Sequence, residues 1–127
     1  MDKKDFQKRT KQFSLRIFKL SKAMPRTMES QVISRQIIRS ASSVAANYRA
    51  ACRGRSRAEF IAKLGIVEEE SDETVFWLEM IIEAGLFEQE KISPLLKEAN
   101  EIVSIVVVSL KSAKKNKSAI RNRKSEI

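Results

Sequence analysis

The most constraining feature of the chain is a set of seven positions, Phe60, Leu64, Val67, Ser71, Thr74, Leu78 and Ile81, spaced in strict four- and three-residue steps. An α-helix brings such positions to one side, and a seam this long implies packing against other helices along its whole length. The spacing predicts a helix over 57–84, about 42 Å long at 1.5 Å per residue. Its start is marked by Ser56-Arg57-Ala58-Glu59, a capping box in which Ser56 accepts from the backbone and Glu59 reaches back to Ser56. Gly85 ends it. Just upstream, Gly54 is expected to close the preceding helix by taking the left-handed conformation. A helix stop followed at once by a helix start predicts an αα-hairpin of antiparallel neighbours.

The helix before that turn is expected from Thr27 as N-cap to about Arg53, with the seam Ile33, Ile37, Ser40/Ala41, Val44, Tyr48 and Ala51. Residues 40–46 are small, which lets a neighbouring helix approach closely. Ser40, Ser43 and Asn47 form a polar strip beside that seam, read as an interhelical hydrogen-bond row that fixes register. A first helix over 3–23 follows from Phe6, Thr10, Phe13, Ile17, Leu20 and Met24, and Pro25 stops it. A fourth helix is expected to open with Ser93 as N-cap and Pro94 at its first position, with Leu96, Ala99, Val103, Val106 and Leu110 as its seam. Beyond Lys111 apolar residues become scarce, so 115–127 is expected to be a disordered tail or a fraying helix end on a domain formed by 1–114. The fold class is all-α, an antiparallel up-down-up-down four-helix bundle.

At 127 residues with three Gly and two Pro, one helical domain accounts for the whole chain. The start Met1-Asp2-Lys3-Lys4-Asp5-Phe6 is charged with no apolar run behind it, so no secretory leader is expected and the cytoplasm is the default. No run approaches the ~20 apolar residues of a membrane-spanning helix, so no membrane insertion is expected. Peripheral membrane binding through basic helices is disfavoured because the apolar faces are needed for core and interface. The sequence has no His and a single Cys, Cys52, read as a small core residue, so the common zinc and Ser-His-Asp chemistries lack their usual residue. No Gly-rich phosphate loop is present. Neither an enzyme nor a cofactor is expected.

Charge is distributed unevenly. Residues 1–58 carry 15 Lys and Arg against 3 Asp and Glu, a net +12, residues 59–110 carry 3 against 12, a net −9, and residues 111–127 carry 7 against 1, a net +6. Antiparallel pairing about the 54–55 turn sets Arg39 near Glu70, Arg35 near Glu73 and Arg49 near Glu59 or Phe60, so Arg35, Arg39, Glu70 and Glu73 are read as structural ion pairs. The carboxylates of the third helix are assigned to such pairing rather than to a metal. The remaining basic residues gather at the chain start, at the hairpin and at the chain end. Up-down-up-down topology sends all three clusters to one pole, which suits phosphate backbones with little sequence preference. The candidate nucleic-acid-binding residues are Lys4, Lys8, Lys11, Arg49, Arg53, Arg55, Arg57, Lys114 and Lys115.

Gln36-x-x-Arg39-Ser40-Ala41-x-Ser43-Val44-x-x-Asn47, followed by Arg53-Gly54-Arg55-Ser56, Glu59-Phe60-Ile61 and Ser71-Asp72-Glu73, resembles the bacterial four-helix bundle proteins found within ribosomal RNA intervening sequences. The resemblance covers about residues 10–112. It departs at Asn47-Tyr48-Arg49-Ala50-Ala51-Cys52, where family members often have Ile-Ala-Glu-Gly after the Asn. The resemblance implies a bundle that assembles into a homo-oligomeric ring, typically a pentamer. Surplus apolar residues on helices one, three and four are consistent with contact between subunits. Related bundles in diversity-generating retroelements bind a reverse transcriptase and nucleic acid through a basic surface. Two functions are therefore expected: an oligomeric module that associates with RNA or other nucleic acid through its basic pole, or a scaffold whose ring docks one protein partner such as a reverse transcriptase.

Overall fold

A computed structural model gives the backbone of residues 1–126 and the side chains of residues 1–116. Four helices follow one another, α1 (Lys3–Ala23), α2 (Met28–Cys52), α3 (Arg57–Glu83) and α4 (Gln89–Glu126), and no strand occurs among the described residues. The first three begin on side-chain caps. Asp2 accepts from the Asp5 N–H at 2.8 Å, Thr27 from the Ser30 N–H at 3.2 Å, and Ser56 from the Glu59 N–H at 3.1 Å. Met24, which precedes Pro25, is extended and closes α1.

Each helix packs on its neighbours in the sequence, and α1 closes the bundle against α4 through the sparsest seam; the backbones of α1 and α3, like those of α2 and α4, stand diagonally across the bundle without close approach. All six expected seam positions of α1 are buried, as are Ile33, Ile37, Ser40, Ala41, Val44, Tyr48 and Ala51 of α2. Two buried hydroxyl contacts record the level of the helices. Ser14 Oγ donates to the Ala41 carbonyl at 2.8 Å, and Thr74 Oγ1 lies 2.8 Å from Ser40 Oγ. Each of these hydroxyls also lies within reach of a carbonyl of its own helix, so the contacts between helices mark the register that the packed seams set.

Several details depart from the sequence expectations. Gly54 is not left-handed; the only positive-φ glycine is Gly85, at +65°. There the Leu86 N–H reaches the Ile81 carbonyl and the Gly85 N–H the Ile82 carbonyl, each at 3.0 Å, a Schellman closure of α3. Gly54 is instead a site of close approach, where a Cβ would lie 3.1 Å from the Ala51 carbonyl oxygen. The Glu59 carboxylate reaches past Ser56 to the Arg55 N–H at 2.7 Å. Asn47 donates to Ser43 within α2, so of the polar strip only Ser40 crosses to another helix.

Helix α4 starts at Gln89, not at Ser93, and carries Pro94 inside it. The Lys91 and Ile92 N–H groups bond the Glu88 carbonyl at 3.0 and 3.3 Å, and the early start buries Ile92 completely. The α4 seam is Ile92, Leu95, Ala99, Ile102, Val106, Leu110 and Ala113, so Leu95 and Ile102 replace the expected Leu96 and Val103. The backbone stays helical to Glu126, so the boundary expected at 114/115 is not a break in secondary structure. The side chains of 117–127, including the last four basic residues, lie outside the described residues.

The ion pairs are also redistributed. Arg39 takes both acids, Glu70 at 2.8 Å and Glu73, and Trp77 Nε1 donates to the same Glu73 carboxylate at 3.2 Å. Arg35 takes neither, because Arg39 sits level with both acids one turn apart. Arg9, which the sequence places in the basic cluster at the chain start, instead bridges α1 to α4 with bonds of 2.6–2.7 Å to Glu98 and 2.6 Å to Glu101. Among the described residues no helix is long and apolar enough to cross a membrane.

Candidate nucleic-acid interface

The start of α1, the α2–α3 turn and α4 near residue 113 meet at one end of the bundle. They enclose an open cavity of about 560 Å³ whose wall includes Lys3, Tyr48, Cys52, Arg57, Phe60 and Ser109. Three separate stretches of sequence converge there because α1 and α4 run antiparallel across the closing seam. Lys3 Nζ stands 4.5 Å over the Phe60 ring, and Phe6 meets Tyr48 edge to face with centroids 4.7 Å apart. Burial raises the Tyr48 phenol well above its usual range, and the neighbouring Cys52 adds to the effect. Tyr48 therefore stays neutral and acts as a packed wall rather than an acid.

A second hollow of about 560 Å³ lies between α1 and α2 near the same end. Lys8, Lys11, Arg49 and Arg53 stand around it, and Leu15 and Phe18 line its apolar part. Small residues make this hollow, since Ala45 and Ala46 leave the α2 wall low. Four of the nine candidate cations are thus brought together. Arg57 joins the polar cavity instead. Arg55 is exposed at the tip of the turn, Lys4 is exposed one turn before Lys8, and Lys114 and Lys115 are exposed beside the buried Ala113, with none of these four in either hollow.

Among the described residues the only ion pairs are those of Arg9 and Arg39. All nine candidate cations are therefore free of described carboxylates at ion-pair distance, Arg49 included, so its expected partner Glu59 is not engaged. The cavity itself was not anticipated from sequence. Its signal was present in Lys3, Tyr48, Cys52 and Phe60, but their convergence depends on the antiparallel fit of α1 to α4, which no local pattern encodes. The pole contributes positive charge, hydroxyls and one half-buried thiol, with its aromatics largely packed away. Such a surface can hold phosphates and offers few rings for stacking bases.

The model of the 23S rRNA-intervening sequence protein family matches residues 2–107, which takes in α1, α2, α3 and the first half of α4. The fold is similar to the crystal structure of a protein of unknown function from the S23 ribosomal protein family of Bacteroides thetaiotaomicron, with a TM-score of 0.78 and 33% identity over 87% of this chain and 99% of that one. No protein of curated function matches the sequence. With the bundle, its turn motif and the family match in agreement over most of its length, the chain belongs to the 23S rRNA-intervening sequence protein family.

Proposed function

We propose that the chain is a non-enzymatic, homo-oligomeric module that associates with RNA by laying phosphates on its basic pole. The observation that carries this reading is the group Arg49, Arg53, Arg55 and Arg57, exposed at one end with no carboxylate at ion-pair distance among the described residues. Lys4, Lys8, Lys11, Lys114 and Lys115 extend the same field along α1 and α4. Unpaired cations attract polyanions and release counterions on binding, which makes the affinity fall steeply with salt. The family's link to 23S rRNA intervening sequences favours RNA as the polyanion. Binding of a labelled single-stranded RNA, followed from low to physiological salt, tests the reading: a steep loss of affinity with salt is expected, and no binding at low salt would overturn it.

A scaffold reading is favoured by a different observation, the exposed Leu15, Phe18 and Phe76, which phosphates do not use. Such side chains call for a protein partner, either another copy in a ring such as the pentamer the resemblance implies, or a distinct protein such as a reverse transcriptase. Retention of one distinct protein after nuclease treatment, with no RNA affinity in the purified chain, is the outcome that would put this reading first.

A further inference from the structure

Helices α1 and α3 each carry a second seam on the side away from the core. On α1 it is Lys4, Lys8, Lys11, Leu15, Phe18 and Lys22, all exposed and spaced in alternating four- and three-residue steps. On α3 it is Ile66, Glu69, Glu73, Phe76, Met80 and Glu83, in alternating three- and four-residue steps. The outer face of a bundle helix is ordinarily polar throughout, yet Leu15 is 56% exposed and Phe76 48%. Every charge on the first seam is positive and every charge on the second is negative.

We infer that the outer seam of α1 in one copy packs against the outer seam of α3 in the next, side by side and parallel. The two seams cannot satisfy each other within a chain, because α1 and α3 occupy opposite corners of the bundle, with Lys3 reaching Phe60 across one end, and both seams lie on its outside. A contact between two different faces is head-to-tail, and it repeats from copy to copy until a rotation closes it into a ring. The levels agree. Ser14 is tied to Ala41, and Ser40 to Thr74, so a residue of α1 lies level with the α3 residue about 58–60 positions on. Copies related by rotation about an axis along the bundle therefore set Phe18 beside Phe76 and Lys11 beside Glu69. Glu73 is already held by Arg39 and Trp77, which keeps the centre of the α3 seam in place before a neighbour arrives. Lys8 and Lys11 then face a subunit, and the hairpin arginines remain for phosphate.

This inference rests on the oligomeric half of the proposed function; it moves Lys4, Lys8 and Lys11 from the phosphate field to the subunit contact, and its test reads assembly without RNA. The test uses the full chain with Cys52→Ser as background. Phe18→Cys and Phe76→Cys combined in one chain are expected to oxidise into a disulfide ladder that ends at the ring size, while either cysteine alone gives no ladder. Phe76→Glu is expected to lower the mass measured by sedimentation to that of a monomer with unchanged helical circular dichroism. A wild-type chain that sediments as a monomer would overturn the oligomeric reading itself. An oligomer that forms no ladder and survives Phe76→Glu would overturn only the assignment of faces.

Discussion

Arg9 and Arg39 each gather two carboxylates, yet Arg9 is the more sheltered, with its side chain 24% exposed against 48% for Arg39. The hydrogen bond from Arg9 is the main cause that holds the Glu98 carboxyl below its usual range, against the opposing effect of burial. A depressed carboxylate stabilises the fold at pH values above the unfolded-state pKa, and that contribution is lost as pH falls through the folded-state value. Glu98→Gln is expected to cost about 1 kcal/mol at pH 7, because Glu101 still holds part of the guanidinium. Denaturant unfolding should show the difference from wild type vanish on acidification past the carboxylate range.

The glycines divide in the same concrete way. Gly65 lies inside α3 and a Cβ there would meet nothing within 4 Å, so Gly65→Ala should raise stability by about 0.5–1 kcal/mol through a less disordered unfolded chain. Gly85 also has open space, but its φ of +65° makes Gly85→Ala cost about 1 kcal/mol from backbone strain alone. Thermal melts of the two variants should shift in opposite directions.

At the scale of elements, α1, α2 and α3 were legible nearly to the residue, because each has one seam bounded by a strong stop or cap such as Pro25, Thr27 or Ser56. Helix α4 was not, for two physical reasons. It is apolar on nearly every side between Ile102 and Val108, so several seams fit equally well. Pro94 has the signature of a first helical position, whereas burial of Ile92 pulls the start back to Gln89. As the sixth residue of the helix, Pro94 leaves the Glu90 carbonyl without its usual N–H donor. Pro94→Ala should therefore stabilise the protein by about 1–3 kcal/mol. A helix that began at Ser93 would gain almost nothing, so chemical denaturation of this variant decides where α4 starts. The candidate interface was legible as charge, since the nine basic residues are local facts. Its hollows were not, because they depend on how α1 meets α2 and α4.

For the whole molecule, the separation of roles makes a quantitative demand on RNA binding. If Arg53, Arg55 and Arg57 each neutralise one phosphate of a single strand, changing all three (Arg53→Gln, Arg55→Gln, Arg57→Gln) flattens the slope of log affinity against log salt by about 2. Filter binding across a salt series measures that slope directly. Arg39→Gln serves as the contrast, because its charge is already spent on Glu70 and Glu73 and the slope should hold.

The sparse closure between α1 and α4 also bears on the order in which the molecule comes apart. Helix α1 is held on one side by α2 and on the other by a sparse seam to α4 that includes the Arg9 cluster, whereas α2, α3 and α4 are joined by broad seams. Amide hydrogens of α1 should therefore exchange through a partial opening cheaper than global unfolding, with α2 and α3 exchanging last. Because the same helix carries the lysine-rich outer seam, a neighbour that grips it would also guard those amides, and their protection should rise with protein concentration.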